Sequence, residues 1–134
     1  MSLPCKVLIT APTGNVGPHA ARHLLDAGVT VRVLALRDDP NLHKLPPGVE
    51  IAYGDLADPG SVDAALEGIK GVFWMWPFFT LSTATAPAVL ERIERQAQRV
   101  VLVSSVGVHL GMERRDNNCH AYLEIGRASC RERV

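Results

Sequence analysis

Residues 10–25 read TAPTGNVGPHAARHLL. Just before them, CKVLIT (5–10) is a short apolar run of the kind that forms a buried parallel strand. Behind the glycines the pattern turns helical. Val16, Ala20 and Leu24, with Ala21 and Leu25, recur at i, i+4 and predict one apolar stripe. Gly28 predicts the helix stop, and Pro18 falls in the first turn, where its missing N–H costs little. A strand, a glycine turn and a helix together can set main-chain N–H groups and a helix N-terminus against an anion. Gly14 and Gly17 would keep that approach free of side chains. The spacing G-x-x-G-x-x-G needs glycine at 11, where Ala11 stands; G-x-G-x-x-G needs it at 12, where Pro12 stands. Ala11 suits the turn provided its φ stays negative. No Gly-Lys-Ser/Thr follows, which excludes a Walker-type loop. Gly14 and Gly17 equally suit a tight turn with no ligand, and that alternative stays open.

Working outward, TVRVLAL (30–36) predicts a second strand and residues 49–53 a third, after a turn at Pro46–Gly48. DPGSVDAALEG predicts a helix capped by Asp58, with Pro59 in its first position and Val62, Ala65, Leu66 and Ile69 inward. GVFWMW (71–76) predicts strand four. Residues 83–98 predict a helix with Ala88, Val89, Ile93 and Ala97 inward, and RVVLVSS (99–105) a fifth strand. CHAYLE (119–124) can start another helix. Strands alternate with helices, and the connections are too long for hairpins. The fold class is therefore α/β, a doubly wound parallel sheet of Rossmann type with helices on both faces.

Composition narrows the partners. The chain has 134 residues, 47% hydrophobic, with 14 basic and 14 acidic side chains. That balance argues against nucleic acid or an anionic membrane as partner. The longest apolar stretch, GVFWMWPFF, is too short to span a bilayer. Three cysteines (Cys5, Cys119, Cys130) without metal spacing, and no signal peptide, lead us to expect a cytoplasmic setting. His19 and His23 share a helix face but lack a third ligand, so no metal is expected.

About 20 residues beyond the glycine turn, a dinucleotide fold reads the adenosine ribose. In LALRDDP that place holds Arg37, which can pair with a 2′-phosphate, so NADP(H) is preferred. Asp38 and Asp39 keep NAD(H) open.

Four blocks, TAPTGNVG (10–17), VRVLALRDDP (31–40), LPPGVEIAYGDLADPGSVDAALEGIKGVFWMWP (45–77) and RVVLVSSVGV (99–108), together resemble the NmrA-like branch of the atypical short-chain dehydrogenase/reductases. The resemblance implies that Thr13, Gly14, Asn15, Val16 and Gly17 line the pyrophosphate and that Arg37 meets the adenosine phosphate. It implies that Asp55 and Leu56 flank the adenine, and that Trp76 and Pro77 lie near the nicotinamide-side ribose. Ser104 and Ser105 would end strand five, where related reductases place a catalytic or substrate-orienting serine. Trp76 suits core packing equally well. The Tyr-x-x-x-Lys pair of active short-chain reductases is not visible: Tyr122 is followed four residues later by Gly126. Tyr122 is a weak candidate acid, and position 126 falls within the tail described next, so the glycine there says nothing of a lysine in the parent.

The last residues, EIGRASCRERV (124–134), resemble a sequencing adapter read through as protein. We expect residues 124–134 to be a non-native tail and residues 1–123 an incomplete NAD(P)-binding domain, with five strands present and a C-terminal part missing. The implied activity is hydride transfer to a small carbonyl, quinone or enone in the full-length parent. The alternative is a non-catalytic redox sensor that binds a regulatory protein.

Overall fold

The computed structural model describes residues 6–76 and 83–102. Pro77, Ser104, Ser105, Tyr122 and the 124–134 segment lie outside them. Five strands form one parallel sheet: β1 (Lys6–Ile9), β2 (Thr30–Ala35), β3 (Glu50–Tyr53), β4 (Gly71–Trp74) and β5 (Arg99–Leu102). Their order is β3-β2-β1-β4-β5. The chain steps outward from β1 to β3, then returns to the other side of β1 for β4 and β5. Val7 is thus paired with Val31 on one side and Gly71 on the other. The carboxyl ends of β1 and β4 flank the point where the order reverses, the place where an open α/β sheet opens a crevice.

Each inner strand divides its residues between two cores, as the twofold pleat requires. Leu8, Leu34, Val72, Trp74 and Val100 face one side. There they meet α2 (Asp63–Leu66) and α3 (Ala86–Gln96) through Ala65, Leu66, Val89, Leu90 and Ile93. Ile9, Val31 and Val33 face the other side, where α1 (Gly17–Asp26) supplies Ala21, with Leu24 and Leu25 partly buried. Burial on both faces explains the apolar runs Val7–Ile9, Val33–Ala35 and Val72–Trp74 of the three inner strands.

Helix α1 stops as expected. Gly28 takes φ 82°, its N–H bonds to the Leu25 carbonyl, and the Val29 N–H to the Leu24 carbonyl. This paired closure needs a left-handed residue at that point. Three local expectations are corrected. Val16 is not on the buried stripe; it precedes the helix and is 46% exposed. Ala88 points outward, the inward face of α3 being Ala86, Val89, Leu90 and Ile93. The helix predicted after Asp58 is a 3-10 turn, Pro59–Val62, followed by the single α-turn of α2. Asp58 gives no side-chain cap. Its carbonyl instead accepts from the N–H and hydroxyl of Ser61, which draws the chain into a tight local turn. Val62, Ala65, Leu66 and Ile69 are buried as expected. Arg32 closes the far end of α2, donating from Nη1 to the Ala65 and Glu67 carbonyls at 2.8 and 2.7 Å.

Candidate functional site

The turn after β1 starts from a buried clamp. Thr10 is wholly buried, and its Oγ1 donates to the Met75 carbonyl at 2.6 Å while accepting from the Met75 N–H at 2.8 Å. This fixes the ends of β1 and β4 side by side. Nothing in the sequence pattern singled Thr10 out. Ala11 then takes φ 45°, in the left-handed region, so the negative φ under which alanine would suit the turn is not what the fold adopts. An alanine holds a conformation that glycine adopts freely.

The two glycines have different reasons to be there. A Cβ on Gly17 would sit 2.3 Å from the Pro12 carbonyl oxygen, 2.5 Å from its carbon and 2.7 Å from its Cα. Helix α1 crosses the turn too closely for any side chain. A Cβ on Gly14 would meet only the Ala11 oxygen, at 3.9 Å. The fold does not require glycine at 14. Gly14, Asn15 and Val16 are exposed. They lead into the N-terminus of α1, whose first turn carries no acidic side chain to offset the dipole. The first intrahelical bond runs from Ala20 to Val16, so the preceding N–H groups have no acceptor within the helix.

Thr13 looks the other way. Its hydroxyl donates to Asp39 Oδ2 at 2.6 Å, and Asp39 Oδ1 accepts from the Asn41 N–H at 2.8 Å. Asp39 therefore ties the glycine turn to the loop after β2, with each carboxylate oxygen already holding a protein donor. Arg37, exposed on that loop, lays its guanidinium over the Tyr53 ring, 4.4 Å from the centroid. Neither Asp39 nor Tyr53 was assigned these contacts from sequence. The Tyr53 contact becomes legible only once the register is known, because Ala35 pairs with Tyr53.

After β3, Asp55 forms a compact turn. Its Oδ1 accepts from the Ala57 N–H at 2.8 Å, and its own N–H donates to Ser61 Oγ at 2.8 Å. Leu56 is 7% exposed and belongs to the core, and its carbonyl accepts from the Thr85 hydroxyl. Trp76 is 4% exposed in the same core, its ring 5.7 Å from that of Trp74. Among the described residues its ring belongs to the core cluster between the sheet and α3. Thr13 to Gly17, Arg37 and Asp55 thus each follow the carboxyl end of a strand, β1, β2 and β3 in turn, while the Leu56 and Trp76 side chains are buried.

One carboxylate is clearly perturbed. Glu50 begins β3, at the opposite end of the sheet, and Arg32 bonded at 3.1 Å is the main reason its pKa lies below 4.5, with Lys6 assisting at 3.4 Å. Among the described residues, no three His, Cys, Asp or Glu side chains converge on a common point, and no helix is long and apolar enough to cross a membrane.

A glycine turn at the switch point of a parallel sheet, opening onto an acid-free helix N-terminus, defines a dinucleotide-binding α/β protein. The donor set fits a phosphate-bearing cofactor: bare backbone at Gly14, exposed main chain through Val16, and the Arg37 guanidinium nearby. A family model for NAD(P)H-binding proteins matches residues 12–129, and the chain belongs to that family. Its fold is that of the NmrA-like, atypical short-chain dehydrogenase/reductases.

Among curated relatives, it is similar to a (4-alkanoyl-5-oxo-2,5-dihydrofuran-3-yl)methyl phosphate reductase of Streptomyces griseus. The two are 42% identical over 67 residues, which is 50% of this chain and 23% of the relative. It is also similar to an NAD(P)H azoreductase of Xenophilus azovorans, 28% identical over 103 residues, or 76% of this chain and 32% of the relative. Among solved structures, a nucleoside-diphosphate-sugar epimerase from Pseudomonas aeruginosa superposes with a TM-score of 0.75 at 18% identity, covering 95% of this chain and 48% of that one. That likeness shows the fold alone. The matched segments span a third or less of the curated relatives' length.

Proposed function

We propose that this chain is the NADP(H)-binding part of a reductase that passes hydride to a small carbonyl, quinone or enone. The observation that carries the proposal is the contrast within the glycine turn. Gly17 is glycine because the helix needs it, whereas Gly14 is glycine without any demand from the protein itself. Bare backbone at an exposed helix N-terminus is what a diphosphate requires. When bound, the nicotinamide supplies or accepts the hydride. The chain's part is to hold the diphosphate on the main chain from Thr13 to Gly17 and to meet the adenosine end with Arg37. The names of the two curated relatives favour reduction over a purely sensory role.

Titration of the chain with NADPH and NADH tests this, with Gly14→Ala beside it. The variant is expected to melt like the parent and to bind NADPH at least tenfold more weakly, because a methyl group would stand between the amides and the phosphate. If the parent takes up neither coenzyme, or Gly14→Ala binds unchanged, the assignment fails. Steady NADPH consumption with a panel of quinones and enones separates a reductase from a sensor.

A further inference from the structure

We infer that Tyr53 is a positioning residue for coenzyme specificity: its ring is the platform that holds Arg37 ready for the 2′-phosphate of NADP(H). The inference rests on the cofactor reading above and adds to it a residue that no sequence motif assigns.

Four observations support it. The parallel register sets Tyr53 opposite Ala35, so the last residue of β3 lies beside the strand end from which Arg37 departs two residues later. The guanidinium carbon lies 4.4 Å from the ring centroid, a stacking distance. Tyr53 is 43% exposed and Arg37 is exposed too, so burial does not force the two together. Among the described residues Arg37 makes no ion pair: the four salt bridges belong to other side chains, and Asp39 is held by Thr13 and Asn41.

The chemistry follows from the shape of the two groups. A guanidinium stacked on a ring spends its face and keeps its edge, where all its N–H donors lie. Those donors can meet two phosphate oxygens at once. A long side chain without a platform would have to give up its rotamer freedom on binding. With the ring beneath it, much of that ordering is done in the free protein. Asp39 contributes by occupation. An acid near the end of β2 attracts a 2′-hydroxyl, and here one acceptor site on each Asp39 oxygen is taken by a protein donor, which holds the carboxylate toward Thr13 and Asn41.

The test compares Tyr53→Leu, Tyr53→Phe and Arg37→Leu with the parent chain. Dissociation constants are measured for NADPH, NADH, 2′,5′-ADP and 5′-ADP. Tyr53→Leu is expected to weaken NADPH and 2′,5′-ADP by about two- to fivefold, the worth of an exposed cation–π contact, and to leave NADH and 5′-ADP unchanged. Tyr53→Phe keeps the ring face and is expected to match the parent. In an Arg37→Leu background, Tyr53→Leu should have no further effect, because the ring acts only through the guanidinium. If Tyr53→Leu lowers NADPH and NADH equally, the ring contacts adenine and the inference is overturned. It is overturned as well if Tyr53→Leu changes nothing while Arg37→Leu still abolishes the NADPH preference. A parent chain that binds neither coenzyme instead overturns the underlying cofactor assignment.

Discussion

Replacing Gly17 by alanine should break the β1–α1 junction, and the size of the effect can be worked from the geometry. The added Cβ would lie 2.3 Å from the Pro12 oxygen, against about 3.4 Å for an ordinary close contact, so something must retreat by about 1 Å. The obstructing atoms are backbone, and no side chain can swing aside. Pro12 is itself buried, with its φ fixed by its ring. If α1 moves instead, it lifts Ala21, which is fully buried against Ile9, Val31 and Val33. Overpacking of this kind costs about 1–3 kcal/mol or more. The gain in helix propensity from glycine to alanine, at most about 1 kcal/mol, is small in the first turn. A net loss of about 2–3 kcal/mol is expected, seen as a melting temperature lower by about 6–15 °C. Thermal and urea unfolding followed by circular dichroism and tryptophan fluorescence would measure it. Gly14→Ala is the internal control and should melt within about 0.5 kcal/mol of the parent, since its methyl enters open space. If Gly17→Ala proves as stable as Gly14→Ala, the close crossing of helix and turn does not exist.

Other perturbations have equally definite outcomes. Ala11→Gly should stabilise the chain by about 0.5–1 kcal/mol in urea unfolding, because the φ of 45° carries strain in alanine that glycine does not feel. Thr10→Val keeps the shape but leaves the buried Met75 N–H without its acceptor, and should cost about 1–3 kcal/mol in the same assay. Glu50→Gln removes a carboxylate whose pKa is lowered chiefly by Arg32. Its contribution is fully present above the ordinary value of 4.5 and is lost as pH falls through the lower, folded value. Because Glu50 is largely exposed, the loss at neutral pH should stay below about 1 kcal/mol and shrink with added salt. Parent and variant should converge when unfolding is measured in strong acid.

What the sequence disclosed, and what it hid, follows from the range of each interaction. The inner strands were legible because burial on both faces writes itself as consecutive apolar residues, as in Val33 to Ala35. The helix stop at Gly28 was legible because one residue carries the whole requirement. Asp58 misled because capping and turn formation draw on the same short-range bonds, and Ser61 decided between them. Ala11 misled because residue identity does not fix φ when the crossing of β1 and α1 imposes it. Trp76 suited both a ligand contact and core packing on sequence grounds, and its ring is buried in the core cluster with Trp74 and α3. The pairings of Tyr53 with Arg37 and of Asp39 with Thr13 join residues 16 and 26 apart in sequence, and no local pattern announces a contact set by strand register.

The hydrogen bond between Thr13 and Asp39 ties two neighbouring loops to each other at a set spacing. A long, two-headed guest gripped by one loop would find the other already at a set spacing. Its fit would then depend on the length between its charged groups as much as on either group alone.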